Sequence, residues 1–216
     1  MLLVNGILAA LLEAANSGQG QVIDAAMVDG AAQLMWMFHG FESIGGWDAD
    51  QRESNLLDGG AHFYDSYECA DGEYVSIGSI EPQFYALLKE KAGLSEEEFG
   101  AQNERDKWPE MKARISEVFR RKTQAEWCEL MEGTDVCFAP VLKFTDAPRH
   151  PANVARKTYI ELDGVTQPAP APRFSRTPSQ VAHATHGLGE DTDAVLGAMG
   201  FAEQEIASLR DAGVIG

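Results

Sequence analysis

The strongest structural signal in the chain comes from residues 63–80, which read FYDSYECADGEYVSIGSI. Aromatic and β-branched residues fill both halves of this stretch, and Ala70-Asp71-Gly72 stands between them. Asp-Gly suits a tight hairpin connection because both residues tolerate positive φ angles. The stretch therefore predicts two β-strands around a turn, and the apolar residues 136–142 predict a third strand that returns to the hairpin.

Helical patterns follow the hairpin. Residues 82–91 predict one helix, and Thr123 with Glu126 has the form of a capping box that begins another. Between them, one apolar helix face is marked by Trp108, Met111, Ile115, Val118 and Phe119. Strands and helices together predict a compact α+β unit over residues 61–145.

The chain begins with an apolar segment, residues 1–17, whose leucines recur at i+4 spacing and which ends at a glycine, Gly18. A second apolar helix is predicted from Ala25 to Phe38. The first helix has no capping residue before it and is apolar on most faces, so it needs partners on most faces. We expect the natural protein to have a segment before Met1.

The organisation expected from the sequence has five parts. Residues 1–38 are a helical remainder of a larger domain, residues 39–60 are a glycine-rich linker, and residues 61–145 are the small α+β domain. Residues 146–180 form a proline-rich return segment, and residues 181–216 form C-terminal helices of the larger domain.

Charge and composition exclude several classes of protein. The 216 residues include 17 Lys and Arg against 34 Asp and Glu, a net charge of −17, whereas nucleic-acid binding needs a surplus of cations. No apolar run approaches the ~20 residues of a membrane span. We therefore expect neither nucleic acid nor a membrane as a partner.

Metal and disulfide chemistry are not indicated either. The three cysteines form no C-x-x-C pair, which favours a reducing compartment. His183 and His186 are three residues apart in a polar stretch without a nearby cysteine, and we expect no metal there. The termini carry no peroxisomal or mitochondrial address, so a cytoplasmic location is expected.

Two short stretches carry the candidate chemistry. Asp58-Gly59-Gly60 places a carboxylate and two glycines just before the first strand, where the backbone could approach a ligand closely. Glu81 lies where the second strand ends and a helix begins, with Pro82 in the first turn. The helix dipole favours an ionised carboxylate at this point. A purely capping role for Glu81 is the alternative.

At these stretches the chain resembles the α-methylacyl-CoA racemase branch of the family III CoA-transferase superfamily. The resemblance covers nearly the whole chain. It rests on the segments at residues 20–27, 57–61, 67–74, 80–85, 108–110, 134–137 and 170–175. It implies the α/β fold of that family, represented here mainly by the small α+β domain flanked by helices of an incomplete large domain.

The resemblance also implies a reaction. Family members interconvert the R and S forms of 2-methyl-branched acyl-CoA thioesters by exchanging the α-proton through an enolate, without a metal or redox cofactor. A His and an Asp move the proton, and a Glu orients the His; Glu81 matches that Glu. The acyl pocket is matched by Asp58, Gly59, Gly60, Tyr64 and Met27.

The departures from the family pattern define the alternatives. The proton-moving His and Asp of the family precede the point that matches Met1, so this chain alone is expected to be inactive. His62 stands where relatives commonly have proline. In relatives two subunits interlock as a homodimer, which would place Glu81 opposite a partner chain. A CoA-transferase that moves CoA between carboxylic acids, and a non-catalytic fragment or assembly partner, remain the alternatives.

Overall fold

The computed structural model describes residues 1–185 and 187–216, and it divides them into two compact units, residues 1–141 and residues 142–216. The first unit holds seven helices and a three-stranded sheet. The helices are α1 (Leu2–Ser17), α2 (Met27–Leu34), α3 (Trp36–Ser43), α4 (Pro82–Ala92), α5 (Glu96–Phe99), α6 (Trp108–Phe119) and α7 (Gln124–Met131). The strands are β1 (Tyr64–Glu68), β2 (Tyr74–Gly78) and β3 (Phe138–Val141). The five-part division predicted from the sequence stays a prediction.

The sheet has the order β1-β2-β3 with antiparallel neighbours throughout. Tyr64 pairs with Gly78 and Glu68 with Tyr74, so the strands meet at a turn in which Gly72 has φ +77°. This confirms the predicted hairpin. The predicted third strand is also confirmed, because Tyr74 pairs with Val141 and Ile77 with Phe138.

One face of the sheet packs on helices α4, α6 and α7. Alternate strand residues Tyr67, Val75 and Ile77 are buried, as the period of two in a half-buried sheet requires. The helices contribute Tyr85, Leu88, Met111, Ile115, Phe119, Trp127 and Met131 to the same core. The capping box of α7 is present, with Glu126 accepting from the Thr123 backbone at 2.7 Å. The other face of the sheet is left open.

The first three helices bury none of their residues. Helix α1 ends at Ser17 with Gly18 in the left-handed conformation, as predicted. A Cβ on Gly30 would lie 3.2 Å from Leu2 Cδ1, so α1 and α2 approach closely. The single helix predicted from Ala25 to Phe38 is divided into two helices. Helix α2 ends before Met35, whose amide donates a hydrogen bond to Ala32 O at 3.1 Å, and α3 continues to Ser43.

The second unit is described by itself. It contains α8 (Pro151–Arg156), a hairpin of β4 (Tyr159–Leu162) and β5 (Val165–Pro168), and then α9 (Thr192–Ala198) and α10 (Glu203–Asp211). The two C-terminal helices fall inside the helical region predicted from the sequence. Helix α8 and the hairpin lie in the proline-rich segment, where no regular structure was predicted. No helix in the described part of the chain is long and apolar enough to cross a membrane.

Candidate active site on the three-stranded sheet

A groove of about 440 Å³ lies beside the glycine turn and crosses the sheet. All three strands and the turn line it, through Leu57, Gly59, Tyr64, Asp65, Ser66, Ser76, Ile77, Gly78, Cys137, Phe138 and Ala139. Small side chains along the middle of the sheet leave room between the larger ones at the edges. Mixed apolar and polar lining of this kind suits a ligand with an apolar chain and a polar head.

The turn that leads into β1 is built around Asp58. Its Oδ1 accepts from the amides of Asn55 at 2.8 Å and Gly60 at 3.2 Å, and its Oδ2 accepts from Asn55 Nδ2 at 2.8 Å. Burial alone would raise the pKa of Asp58, but these hydrogen bonds favour the carboxylate and bring the pKa below its usual value. The carboxylate is therefore ionised and committed to the turn.

The two glycines of this turn serve different ends. Gly59 has φ +89° and lines the groove. Gly60 is buried, and a Cβ on it would lie 2.6 Å from the Asn55 nitrogen, closer than packed atoms allow. Gly60 thus lets two backbone segments touch, whereas Gly59 supplies the left-handed conformation that turns the chain toward β1.

Glu81 lies at the junction between β2 and α4, and it is preceded by a hydrogen-bonded segment in which Ser79 is buried. Ser79 is fully buried; its hydroxyl donates to Val136 O at 2.5 Å and its amide to Phe63 O at 3.0 Å. Gln102 Nε2 donates to the carbonyls of Ser79 at 3.1 Å and Ile80 at 2.9 Å. The segment before Glu81 is therefore held by hydrogen bonds with three other parts of the chain.

The Glu81 side chain itself is exposed. Glu81 stands at the N-cap of α4, yet among the described residues its carboxylate accepts no hydrogen bond from the first turn. No hydrogen bond therefore supports a purely capping role for Glu81. Burial, then the negative charges of Glu81 and Asp135, raise the pKa of the groove-lining Cys137 thiol. Glu81 thus acts electrostatically on the Cys137 side of the groove.

His62 lies behind the groove, in the core. Its Nε2 is 2.7 Å from Tyr85 Oη, and that hydroxyl donates to Phe99 O at 2.8 Å, so His62 Nε2 carries the hydrogen. Nδ1 finds no hydrogen-bond partner within residues 1–185 and 187–216. Burial lowers the pKa of His62 from 6.5 to about 4, which keeps the ring neutral at neutral pH. This histidine is a core residue and does not face the groove.

Only some of the site residues selected from the sequence thus lie at the groove. Gly59 and Tyr64 line the groove, whereas Glu81 is not among the residues that line it. Asp58 and Gly60 shape the turn beneath it, whereas Met27 begins α2, is 91% exposed and does not line the groove. Sequence reasoning had not selected Cys137 or Asp65 for the site. The hints for Cys137 were its place at the start of the third predicted strand and in the segment 134–137 that resembles the family.

A metal centre is not formed by the residues described. Within residues 1–185 and 187–216 no group of three or more His, Cys, Asp or Glu side chains is placed to hold a metal ion. His186, which the sequence pairs with His183, lies outside the described residues.

Comparisons with known proteins place this chain in a family. The family model for CoA-transferase family III matches residues 1–192. The chain is 46% identical over 207 residues to the α-methylacyl-CoA racemase of Mus musculus, covering 94% of this chain and 54% of that protein. It is 41% identical over 212 residues to the α-methylacyl-CoA racemase of Homo sapiens, covering 97% of this chain and 55% of that protein.

Solved structures of the same fold are more distant in sequence. Rv3272 from Mycobacterium tuberculosis superposes with a TM-score of 0.67 at 19% identity, over 89% of this chain and 50% of that one. A CAIB/BAIF family protein from Brucella suis gives a TM-score of 0.65 at 21% identity, over 91% of this chain and 52% of that one.

The chain belongs to CoA-transferase family III. Within that family it is similar to the α-methylacyl-CoA racemases named above, and it spans about half the length of those curated relatives.

Proposed function

We propose that this chain is the part of an α-methylacyl-CoA racemase that carries the positioning glutamate and one wall of the acyl-CoA site. The observation that carries the proposal is the 41–46% identity to two racemases over 94–97% of the chain. Isomerases of this kind exchange the α-proton of a 2-methyl-branched acyl-CoA. The groove on the three-stranded sheet, with Tyr64 in its lining, supports the same assignment.

The proposed reaction is an exchange of the α-proton in which one group acts as a base and another acts as an acid. A base removes the α-proton, the electron pair of the C–H bond moves into the thioester to form an enolate, and an acid returns a proton to the opposite face. Glu81 accepts a hydrogen bond from the proton-moving histidine and fixes its orientation. That histidine and its aspartate partner are supplied by residues outside this chain.

Glu81 suits this role for physical reasons. Its carboxylate is exposed and makes no cap hydrogen bond to α4 within the described residues, so its lone pairs are available. A carboxylate at this position can accept a hydrogen bond from a histidine ring nitrogen. The buried Ser79 and Gln102 hydrogen bonds fix the backbone from which it projects.

The remaining expectations are part of the same proposal. The enzyme uses no metal or redox cofactor, and coenzyme A enters the reaction as part of the substrate. It works in the cytoplasm as a homodimer. The exposed apolar helices α1–α3 support an association with further protein surface, because contiguous apolar surface of this kind is rare on isolated soluble chains.

The deciding experiment is α-proton exchange of a 2-methylacyl-CoA in deuterated water, followed by NMR. The 216-residue chain is assayed alone and again with the first half of the mouse racemase added. Deuterium incorporation only in the mixture supports the proposal. Incorporation by the chain alone would require a local proton-moving group and overturn the assignment of that step to other residues.

The broader family supplies the second candidate, transfer of CoA between carboxylic acids, because the matching family model bears that name. The same mixture is therefore given a free carboxylic acid. A new acyl-CoA without deuterium incorporation would favour the transferase. Neither product would favour a non-catalytic assembly partner.

A further inference from the structure

Lys112 of helix α6 joins two groove-lining residues. Its Nζ donates to Gly59 O at 2.5 Å and lies 2.5 Å from Asp65 Oδ2. The side chains of Lys112 and Asp65 are only 28% and 25% exposed. One ammonium group thus connects the glycine turn, the first strand and a core helix.

The helix holds Lys112 in place. Its neighbours Met111 and Ile115 are buried in the core, so the backbone of α6 cannot move without disturbing that packing. From this fixed point the lysine reaches the Gly59 carbonyl, which is 53 positions earlier in the chain. Asp58 satisfies the amides of the turn, and Lys112 satisfies a carbonyl on its groove side.

The charges favour a positioning role over direct contact with a ligand phosphate. The Lys112 charge is matched at 2.5 Å by Asp65, so little of it remains to attract an anion. Hydrogen bonds from a charged donor are shorter and stronger than neutral ones, particularly where water is partly excluded. The pair therefore fixes distance and direction between the turn and β1 at the wall of the groove.

We propose that Lys112 is a positioning residue for acyl-CoA binding: by holding the Gly59 carbonyl against Asp65 it fixes the glycine turn as one wall of the substrate groove. The proposal deepens the proposed function and rests on it. Lys112 acts through Gly59 and Asp65 and does not touch the reacting atoms.

The chain offers a matched control. Lys89 forms an ion pair with Glu96, and its side chain is 16% exposed, but neither residue lines the groove. Replacing either lysine by methionine keeps the aliphatic stem and removes the charge and the donors. Lys89→Met therefore reports the cost of losing a lysine ion pair elsewhere in the same unit.

The first measurement needs no ligand. Hydrogen exchange of a peptide that spans residues 55–62 is followed by mass spectrometry in the unsubstituted chain, Lys112→Met, Lys112→Arg and Lys89→Met. We expect exchange of the turn to accelerate about tenfold in Lys112→Met, because a charged hydrogen bond is lost, and to stay unchanged in Lys89→Met. Unchanged exchange in Lys112→Met would overturn the inference by itself.

The second measurement uses Cys137 as a reporter inside the groove. Cys137 is exposed, Cys69 is buried and Cys128 is half-buried, so iodoacetamide labels Cys137 first. 2-Methyldecanoyl-CoA is titrated as the protecting ligand in the mixture with the first half of the mouse racemase. We expect half-protection to need about tenfold more ligand in Lys112→Met, and Lys112→Arg and Lys89→Met to match the unsubstituted chain.

A double substitution separates positioning from simple charge neutralisation. In Asp65→Asn with Lys112→Met no unpaired charge remains, but the Gly59 carbonyl is still without its donor. We expect ligand protection to remain weak. Full recovery in the double variant would overturn the positioning role, and absence of protection in the unsubstituted chain would overturn the proposed function together with it.

Discussion

The ring of Tyr64 lies against Gly78 on the neighbouring strand: the two residues pair across β1 and β2, and a Cβ on Gly78 would be 3.5 Å from Tyr64 Cε2. An aromatic side chain over a strand glycine covers backbone that would otherwise face water. Both residues line the groove, so the pair sets its width at that edge.

Gly78→Ala is expected to raise the free energy of unfolding by about 0.4–1 kcal/mol. The new methyl group fits at ordinary contact distance, and alanine has less conformational freedom than glycine in the unfolded chain. Urea denaturation measures the change. A loss of stability would show that Tyr64 does not hold the position described.

Gly60→Ala is expected to lower the free energy of unfolding by about 1–3 kcal/mol, because its Cβ would stand 2.6 Å from the Asn55 nitrogen and force the turn apart. Gly72→Ala is the control: its φ is +77° but nothing lies within 4 Å of a Cβ there. It should cost about 1 kcal/mol from backbone strain alone. Equal losses in urea denaturation would contradict the close contact at Gly60.

Glu81→Gln in the active assembly is expected to lower the α-proton exchange rate on the order of a hundredfold, because a neutral amide no longer orients a protonated histidine. Its free energy of unfolding should change little, since Glu81 makes no cap hydrogen bond among the residues described. Deuterium exchange and urea denaturation measure the two quantities.

The control is Glu90→Gln, which removes an exposed carboxylate later in the same helix and should leave both quantities unchanged. An unchanged rate in Glu81→Gln, or a large loss of stability instead, would return Glu81 to a structural role.

His62 should make the protein less stable in acid. The pKa of His62 is about 4 in the folded chain, whereas its ordinary value is 6.5. As the pH falls below 6.5, the histidine therefore binds a proton in the unfolded chain, but in the folded chain it does so only near pH 4. The stability that neutral His62 contributes is complete above pH 6.5. It is lost progressively toward pH 4, by up to about 3 kcal/mol.

His62→Gln removes this titration and keeps a donor for Tyr85 Oη. The difference in unfolding free energy between the two proteins, measured by urea denaturation at several pH values, should change between pH 6.5 and pH 4. A difference independent of pH over that interval would mean that His62 is accessible to protons in the folded chain.

Local patterns were enough to predict most of the first unit. The Asp71-Gly72 turn, the Thr123 capping box and the apolar spacing from Trp108 to Phe119 each act over a few residues, and all three appear in the structure. The second unit contains a comparable Asp-Gly turn, from which no hairpin was predicted. Asp163 and Gly164 have φ +51° and +78° and connect β4 to β5, but the prolines that follow made the region read as irregular.

The candidate site was less predictable because it depends on contacts between distant residues. Glu81 follows from the strand and helix boundary close to it in sequence, whereas Tyr64 was selected only through the resemblance to the family. Lys112 meets Gly59 only after α6 has packed on the sheet, and nothing in the pattern around Lys112 sets it apart from other surface lysines. The same holds for Cys137, which reaches the groove because Gly78 donates to its carbonyl at 2.9 Å.

The buried junction before Glu81 separates folding from chemistry at that position. Ser79 and Gln102 hold the backbone, and the Glu81 side chain takes no part in holding it. The side chain at position 81 can therefore be replaced while the surrounding fold stays intact. A saturation library at this single codon should yield folded protein for nearly every residue, including unnatural amino acids that carry a photocrosslinker or an infrared reporter.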